Sequence, residues 1–174
     1  MPGPVSSMRT KPKPPPNKKR VIFLVLMALL LISGAMMFNA PRQTEVIEVR
    51  FSSGAKLQAE VALTPEALYF GLALREGLPE DGAMILLFEE SGFHQVWTNG
   101  YQFPVDLIWV DESKQIVHVK EAVMPCEEDP CPWYGPPPGN ARDVNSRYVI
   151  ETNMGFIQKA EVAVGSELIF ALRR

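Results

Sequence analysis

One apolar run constrains this chain more than any other feature. Val21 to Phe38 reads VIFLVLMALLLISGAMMF, with neither charge nor proline. As a helix its 18 residues reach about 27 Å, close to the roughly 30 Å hydrocarbon core of a bilayer. A core helix of a water-soluble protein would keep one polar face, and this run keeps none. The run therefore predicts a transmembrane signal anchor over residues 21–38. Lys18, Lys19 and Arg20 stand directly before it, and only Arg42 comes closely after it. Cytoplasmic flanks collect Lys and Arg, so the expected topology is single-pass, with the N-terminus cytoplasmic and the rest extracytoplasmic. A second interpretation stays open. Ser33-Gly34-Ala35 offers small residues to a signal peptidase, and Val21–Ile32 is short enough for the apolar core of a signal peptide. Both interpretations export the C-terminal part of the chain.

The charge distribution agrees with that direction. Residues 1–20 carry six basic side chains and no acid, and the Pro- and Lys-rich stretch KPKPPPNKKR predicts a disordered cytoplasmic tail. Beyond residue 20 stand 11 basic and 20 acidic side chains. So acidic a domain repels phosphate backbones, which argues against nucleic acid as a partner. The expected partners are the membrane, through residues 21–38, and an envelope protein or glycan.

After a linker at 39–44, residues 45–172 have the length of one domain. Glu45–Phe51 and Leu57–Leu63 alternate and flank Ser52-Ser53-Gly54, a hairpin signal. Thr64-Pro65-Glu66 is a helix start, and the helix is expected to reach about Arg75. Ala83–Phe88 predicts a buried strand, with a turn at Glu89–Gly92. Phe93–Thr98 and Val105–Val110 are strand-like around Asn99-Gly100, a dipeptide suited to a type I′ hairpin turn. Gln115–Lys120, Arg147–Thr152 and Glu167–Leu172 are further strands. Phe156–Lys159 is a helical turn, and a Pro- and Gly-rich loop covers about 121–145. The expected fold is mostly β (α+β): a small barrel or sandwich of short strands with one or two short helices, plus the N-terminal transmembrane helix.

Several segments, in this order, resemble one family. They are Glu60-Val61-Ala62 with Gly71-Leu72; Leu78-Pro79-Glu80-Asp81-Gly82; His94-Gln95-Val96-Trp97; Pro104-Val105-Asp106-Leu107-Ile108-Trp109; Pro125-Cys126 with Asp129-Pro130-Cys131-Pro132 and Tyr134; and Tyr148-Val149-Ile150-Glu151 with Gly155. Together, over about residues 45–170, they look like the domain-of-unknown-function family 192. The resemblance implies a compact β-rich fold, often exported, and assigns no catalytic residue. Thr98-Asn99-Gly100-Tyr101 departs from the family's Met-Lys-Asn-Thr-like run, and Ala73 stands where a Met is usual.

The only cysteines, Cys126 and Cys131, lie close together in the Pro-rich loop. In an exported domain they predict a local disulfide. Zinc ligation with distant His94 or His118, or a redox role, are the alternatives. The favoured assignment has no metal and no cofactor. Asp106 sits among Val105, Leu107 and Ile108, so its carboxylate needs a partner. It either caps a turn from Pro104 or holds a ligand, with Arg75 or Arg147 as its counter-charge. His94 and Trp97 face opposite sides of their expected strand. His94 reads as a core-edge histidine or a site residue, and Trp97 as core. Tyr101, Trp133 and Tyr134 are candidate recognition aromatics on loops, or a lid on the barrel end. The ligand-binding candidates are thus Asp106, His94, Arg75, Tyr101, Trp133 and Tyr134. Two functions compete: an envelope binding or accessory module, and a small envelope hydrolase with a polar site around Asp106 and His94. Nucleotide-loop, serine-hydrolase and zinc-protease motifs do not occur.

Overall fold

The computed structural model describes residues 17–38, 45–137 and 144–172, with the side chains of 20, 21 and 32–38 excepted. Residues 1–16 of the expected tail, the linker at 39–44 and residues 138–143 of the long loop lie outside the described residues. The chain divides into two compact units, Met1–Gln43 and Thr44–Arg174. In the first, α1 runs over Lys18–Phe38. Among the described residues no helix is long and apolar enough to cross a membrane. The side chains described in α1 are those of Lys18, Lys19 and residues 22–31.

The second unit is mostly β. Its strands are β1 (Val46–Phe51), β2 (Lys56–Ala62), β3 (Gly82–Gly92), β4 (Val105–Val110), β5 (Ile116–Val123), β6 (Ser146–Asn153) and β7 (Leu168–Ile169). Helix α2 (Pro65–Phe70) lies between β2 and β3, and α3 (Phe156–Lys159) between β6 and β7. The strands form one sheet in the order β5-β4-β6-β3-β2-β1-β7. Only β2 and β3 pair in parallel, and α2 lies in the crossover that such a pair requires. The outer strands approach each other at one end. Gln115 bridges Glu167, and the Leu168 amide donates to the Lys114 carbonyl at 2.9 Å. A sheet whose edges meet must curl, and the result is a half-barrel.

Both faces of this sheet are covered. The concave face gathers Val49, Leu57, Ile85, Ile108, Ile150 and Leu168 with their neighbours. The other face gathers Leu72, Met84, Leu86, Leu107, Trp109 and Val149, under α2 and the loops around residues 93–104 and 124–134. That explains the sequence of β4, in which every residue is buried and no alternation shows.

Several expected boundaries move. Helix α2 begins as expected, with the Thr64 hydroxyl accepting from the Ala67 amide at 3.2 Å. It stops at Phe70 rather than near Arg75, because Gly71 leaves helical space at φ +48°. Strand β3 runs on through the expected turn to Gly92, where it meets Ser146 after a register shift. Its outer part is polar and solvated, so no hydrophobic pattern marked it. The Asn99-Gly100 hairpin does not form. The Tyr101 amide donates to the Thr98 carbonyl at 3.2 Å, and of the central pair only Gly100 has positive φ, +77°. A type I′ turn needs both. Residues 93–98 form a loop with one bridge, Val96–Tyr134, rather than a strand.

Candidate functional site

Two loops and one helix build a small cavity over the outer face of the sheet. The loop before β4 is tied to the loop after β5 at two points. Val96 and Tyr134 exchange amide bonds of 2.9 and 2.7 Å, and the Cys126 amide donates to the Thr98 carbonyl at 3.2 Å. The Thr98 hydroxyl adds a bond of 2.9 Å to the Met124 carbonyl. Cys126 and Cys131 lie at disulfide distance between these ties. The closed loop delivers Trp133 beside Trp97, the rings stacked at 4.7 Å and 12°. The Trp97 indole N–H donates to the Tyr69 carbonyl of α2 at 3.2 Å, and the two side-chain rings meet edge-on at 5.2 Å. Tyr69 and Trp133 are exposed, the latter by 54%. The mouth is thus a continuous aromatic surface.

Glu151 and Tyr101 form the floor. On β6, Val149 and Glu151 point to the outer face, and Glu151 pairs across the sheet with Met84 and Leu107. Its side chain lies in an apolar layer, with the residue 1% exposed. The Tyr101 hydroxyl donates to Glu151 Oε1 at 2.7 Å. Oε2 is buried and has no hydrogen-bond partner among the described residues. Burial pushes the Glu151 carboxyl up to about 7, against the pull of the Tyr101 hydrogen bond. Burial first, and then the neighbouring carboxylate, push the Tyr101 phenol far above its ordinary value. Gly71 borders the pair, and a Cβ there would collide with the Tyr101 hydroxyl and press on Glu151 Oε2. The enclosed space is about 80 Å³, lined also by Leu68, Leu86, Phe88 and Val96.

The residues singled out by sequence divide among several places. Trp133 and Tyr101 belong to this site, but Tyr101 is buried in its floor rather than exposed on a loop tip. Tyr134 folds back against the outer core layer, as a lid would. His94 lies apart from the floor pair, stacked on Phe88 at 3.7 Å, with a ring nitrogen 2.9 Å from the Glu90 carbonyl. Arg75 pairs with Glu60 and not with Asp106.

Asp106 is held entirely by backbone. Oδ1 accepts from the Ala122 amide at 2.9 Å. Oδ2 accepts from Gly155 and Ile157 at 3.0 and 2.9 Å. Two residues of β5 stand opposite Asp106, so the carboxylate fills a β-bulge and pins the start of α3. Neither Arg75 nor Arg147 serves it.

Glu151, Tyr69 and the platform role of Trp97 were not singled out by sequence. The signal for Glu151 was present: it is an acid next to Val149-Ile150, the same pattern that drew attention to Asp106. Among the described residues no group of three or more His, Cys, Asp or Glu is placed to hold a metal ion. A larger groove of about 590 Å³ lies along Lys56, Glu80, Asn153, Phe156 and Lys159. Its Lys159–Glu80 pair, at 2.7 Å, is solvent-exposed. The Asn153 amide is spent on the Pro79 carbonyl at 2.7 Å. No buried polar atom there awaits a partner among the described residues.

Comparison with known proteins places the fold. No curated protein matches the chain. A chain from Sinorhizobium meliloti, described as a candidate transcription regulator, is similar in structure with a TM-score of 0.60 and 22% identity. The match covers 73% of this chain and 93% of that one. A protein of unknown function from Novosphingobium aromaticivorans is similar with a TM-score of 0.62 and 20% identity, over 75% of this chain and 89% of that one. Both solved chains are nearly filled by the match, so the half-barrel accounts for almost all of each. The sequence profile of DUF192, an uncharacterized ACR, matches residues 47–170. Most of the chain lies within that match, and the chain belongs to the DUF192 family.

Proposed function

We propose that this protein is a membrane-anchored, extracytoplasmic binding module that engages an envelope glycan through the Tyr69–Trp97–Trp133 surface. The observation that carries the proposal is the aromatic mouth itself: linked rings, partly exposed, on backbone fixed by four hydrogen bonds and a cysteine pair. Pyranose rings present C–H faces that pack on π faces, and a rigid platform loses little entropy on binding. The anchor and its direction rest on the apolar run and its basic N-terminal flank. The backbone of that run is helical, within α1. A hydrolytic site around Asp106 and His94 draws no support from the geometry, since both Asp106 oxygens are engaged by amides.

The soluble domain, residues 44–174, is the material for the test. Screened against envelope polysaccharides, it should bind at least one class saturably, and Trp133→Ala should weaken that binding tenfold or more. The absence of saturable glycan binding, or binding indifferent to Trp133→Ala, overturns the glycan proposal. In cells, protease added outside should remove the domain while the N-terminus stays protected; the reverse pattern overturns the topology.

A further inference from the structure

We propose that the cavity floored by Glu151 and Tyr101 is a subsite for a small organic ammonium group, such as the primary amine of an amino sugar. This deepens the glycan reading and uses the same aromatic mouth.

The floor carries an unmet valence. Glu151 Oε2 is buried with no donor among the described residues, while Oε1 is already served by Tyr101. Buried carboxylate oxygens rarely stay unpaired, because leaving water without gaining a hydrogen bond is costly. A ligand bringing N–H donors would meet that need.

The lining selects the sign of the ligand's charge. Besides Glu151 and Gln95 it is aromatic and aliphatic, with neither Lys nor Arg. An anion would face a carboxylate with no counter-charge, so phosphate and carboxylate ligands are disfavoured. A cation gains twice, from the carboxylate and from the ring faces. The acidic domain adds long-range attraction of the same sign.

Size limits what can enter. About 80 Å³ admits a head of a few non-hydrogen atoms and excludes a whole sugar ring. The rest of such a ligand would lie outside, against Trp133 and Tyr69.

Binding of a cation would draw the Glu151 proton off, so affinity should depend on pH. With Glu151 near 7 before binding, affinity should rise roughly tenfold between pH 6 and pH 8. The test titrates the soluble domain with methylammonium and glucosamine, and with methanol and glucose as neutral counterparts. The indole N–H resonances of Trp97 and Trp133 report binding. Methylammonium and glucosamine should shift the Trp97 signal saturably, methylammonium the more tightly at pH 8 because it keeps its charge throughout, and Glu151→Gln should weaken them tenfold or more. Equal binding by methanol and glucose, or a flat pH profile in the unmodified domain, overturns the proposal. The pH profile decides the matter even where Glu151→Gln fails to fold. Failure of all polysaccharides while ammonium binding persists removes the glycan platform alone. Polysaccharide binding that ignores both amine and pH removes the ammonium subsite alone.

Discussion

A carboxyl group held away from water prefers its proton. For Glu151 the preference is written into stability as well as binding. Its folded-state value, about 7, lies above the ordinary 4.5, so the folded domain binds a proton more readily than the unfolded chain. The associated stability is fully present below pH 4.5 and is lost as pH rises through about 7. The expected loss from this one group is up to roughly 3 kcal/mol. Urea unfolding measured from pH 4.5 to 8 should show it, and Glu151→Gln should flatten that component. Gly71 supplies a second residue-scale test. At φ +48° and ψ −122° it occupies a conformation that only glycine enters readily. Gly71→Ala should cost about 2–4 kcal/mol through backbone strain and collision with Tyr101, seen as a lowered Tm. At this scale the sequence was informative but ambiguous. Asp106 and Glu151 share one signature, an acid inside an apolar strand. Which is structural and which borders a cavity depends on amides brought from Ala122, Gly155 and Ile157, and strand pattern carries no trace of those.

Elements were legible where they bury one clean face, or both faces as β4 does, and illegible where tertiary contacts decide. The β1–β2 hairpin and β4 match their hydrophobic patterns closely. The outer half of β3 and the two-residue β7 do not, since the first is polar and solvated and the second serves to close the half-barrel. Residues 93–98 looked like a strand leading into the Asn99-Gly100 dipeptide. In the fold they lie over the outer layer and donate only one bridge to Tyr134. Asp106 shows how an element junction is fastened. Its carboxylate ties a bulge in β5 to the first turn of α3. Asp106→Asn replaces one acceptor oxygen with a donor facing amides, so roughly 3 kcal/mol of stability should be lost in urea unfolding. The cysteine-closed loop is a milder case. Replacing both Cys126 and Cys131 by Ser should cost about 2 kcal/mol by chain entropy. It should also loosen Trp133, measurable as altered tryptophan fluorescence in a domain that stays folded.

At the scale of the whole molecule, one curled sheet carries two apolar layers, and this resolves the barrel-or-sandwich alternative of the sequence in favour of a half-barrel. The seam depends on the last residues. Leu168 and Phe170 are buried, and the segment 165–168 supplies the bonds to Lys114 and Ile116. Burying one such side chain is worth about 1.5–3 kcal/mol, and a domain's whole stability is about 5–15 kcal/mol. Ending the chain at residue 164 should therefore leave a species without a cooperative thermal transition by circular dichroism. The strand order carries a consequence for biosynthesis. Strand β6, which joins β4 to β3 at the middle of the sheet, emerges from the ribosome after five other strands have been made. Until Asn153 is available, the nascent chain holds two fragments of sheet with nothing to unite them. Such a polypeptide should complete its sheet only late in synthesis, once β6 can pair with β4 on one side and β3 on the other.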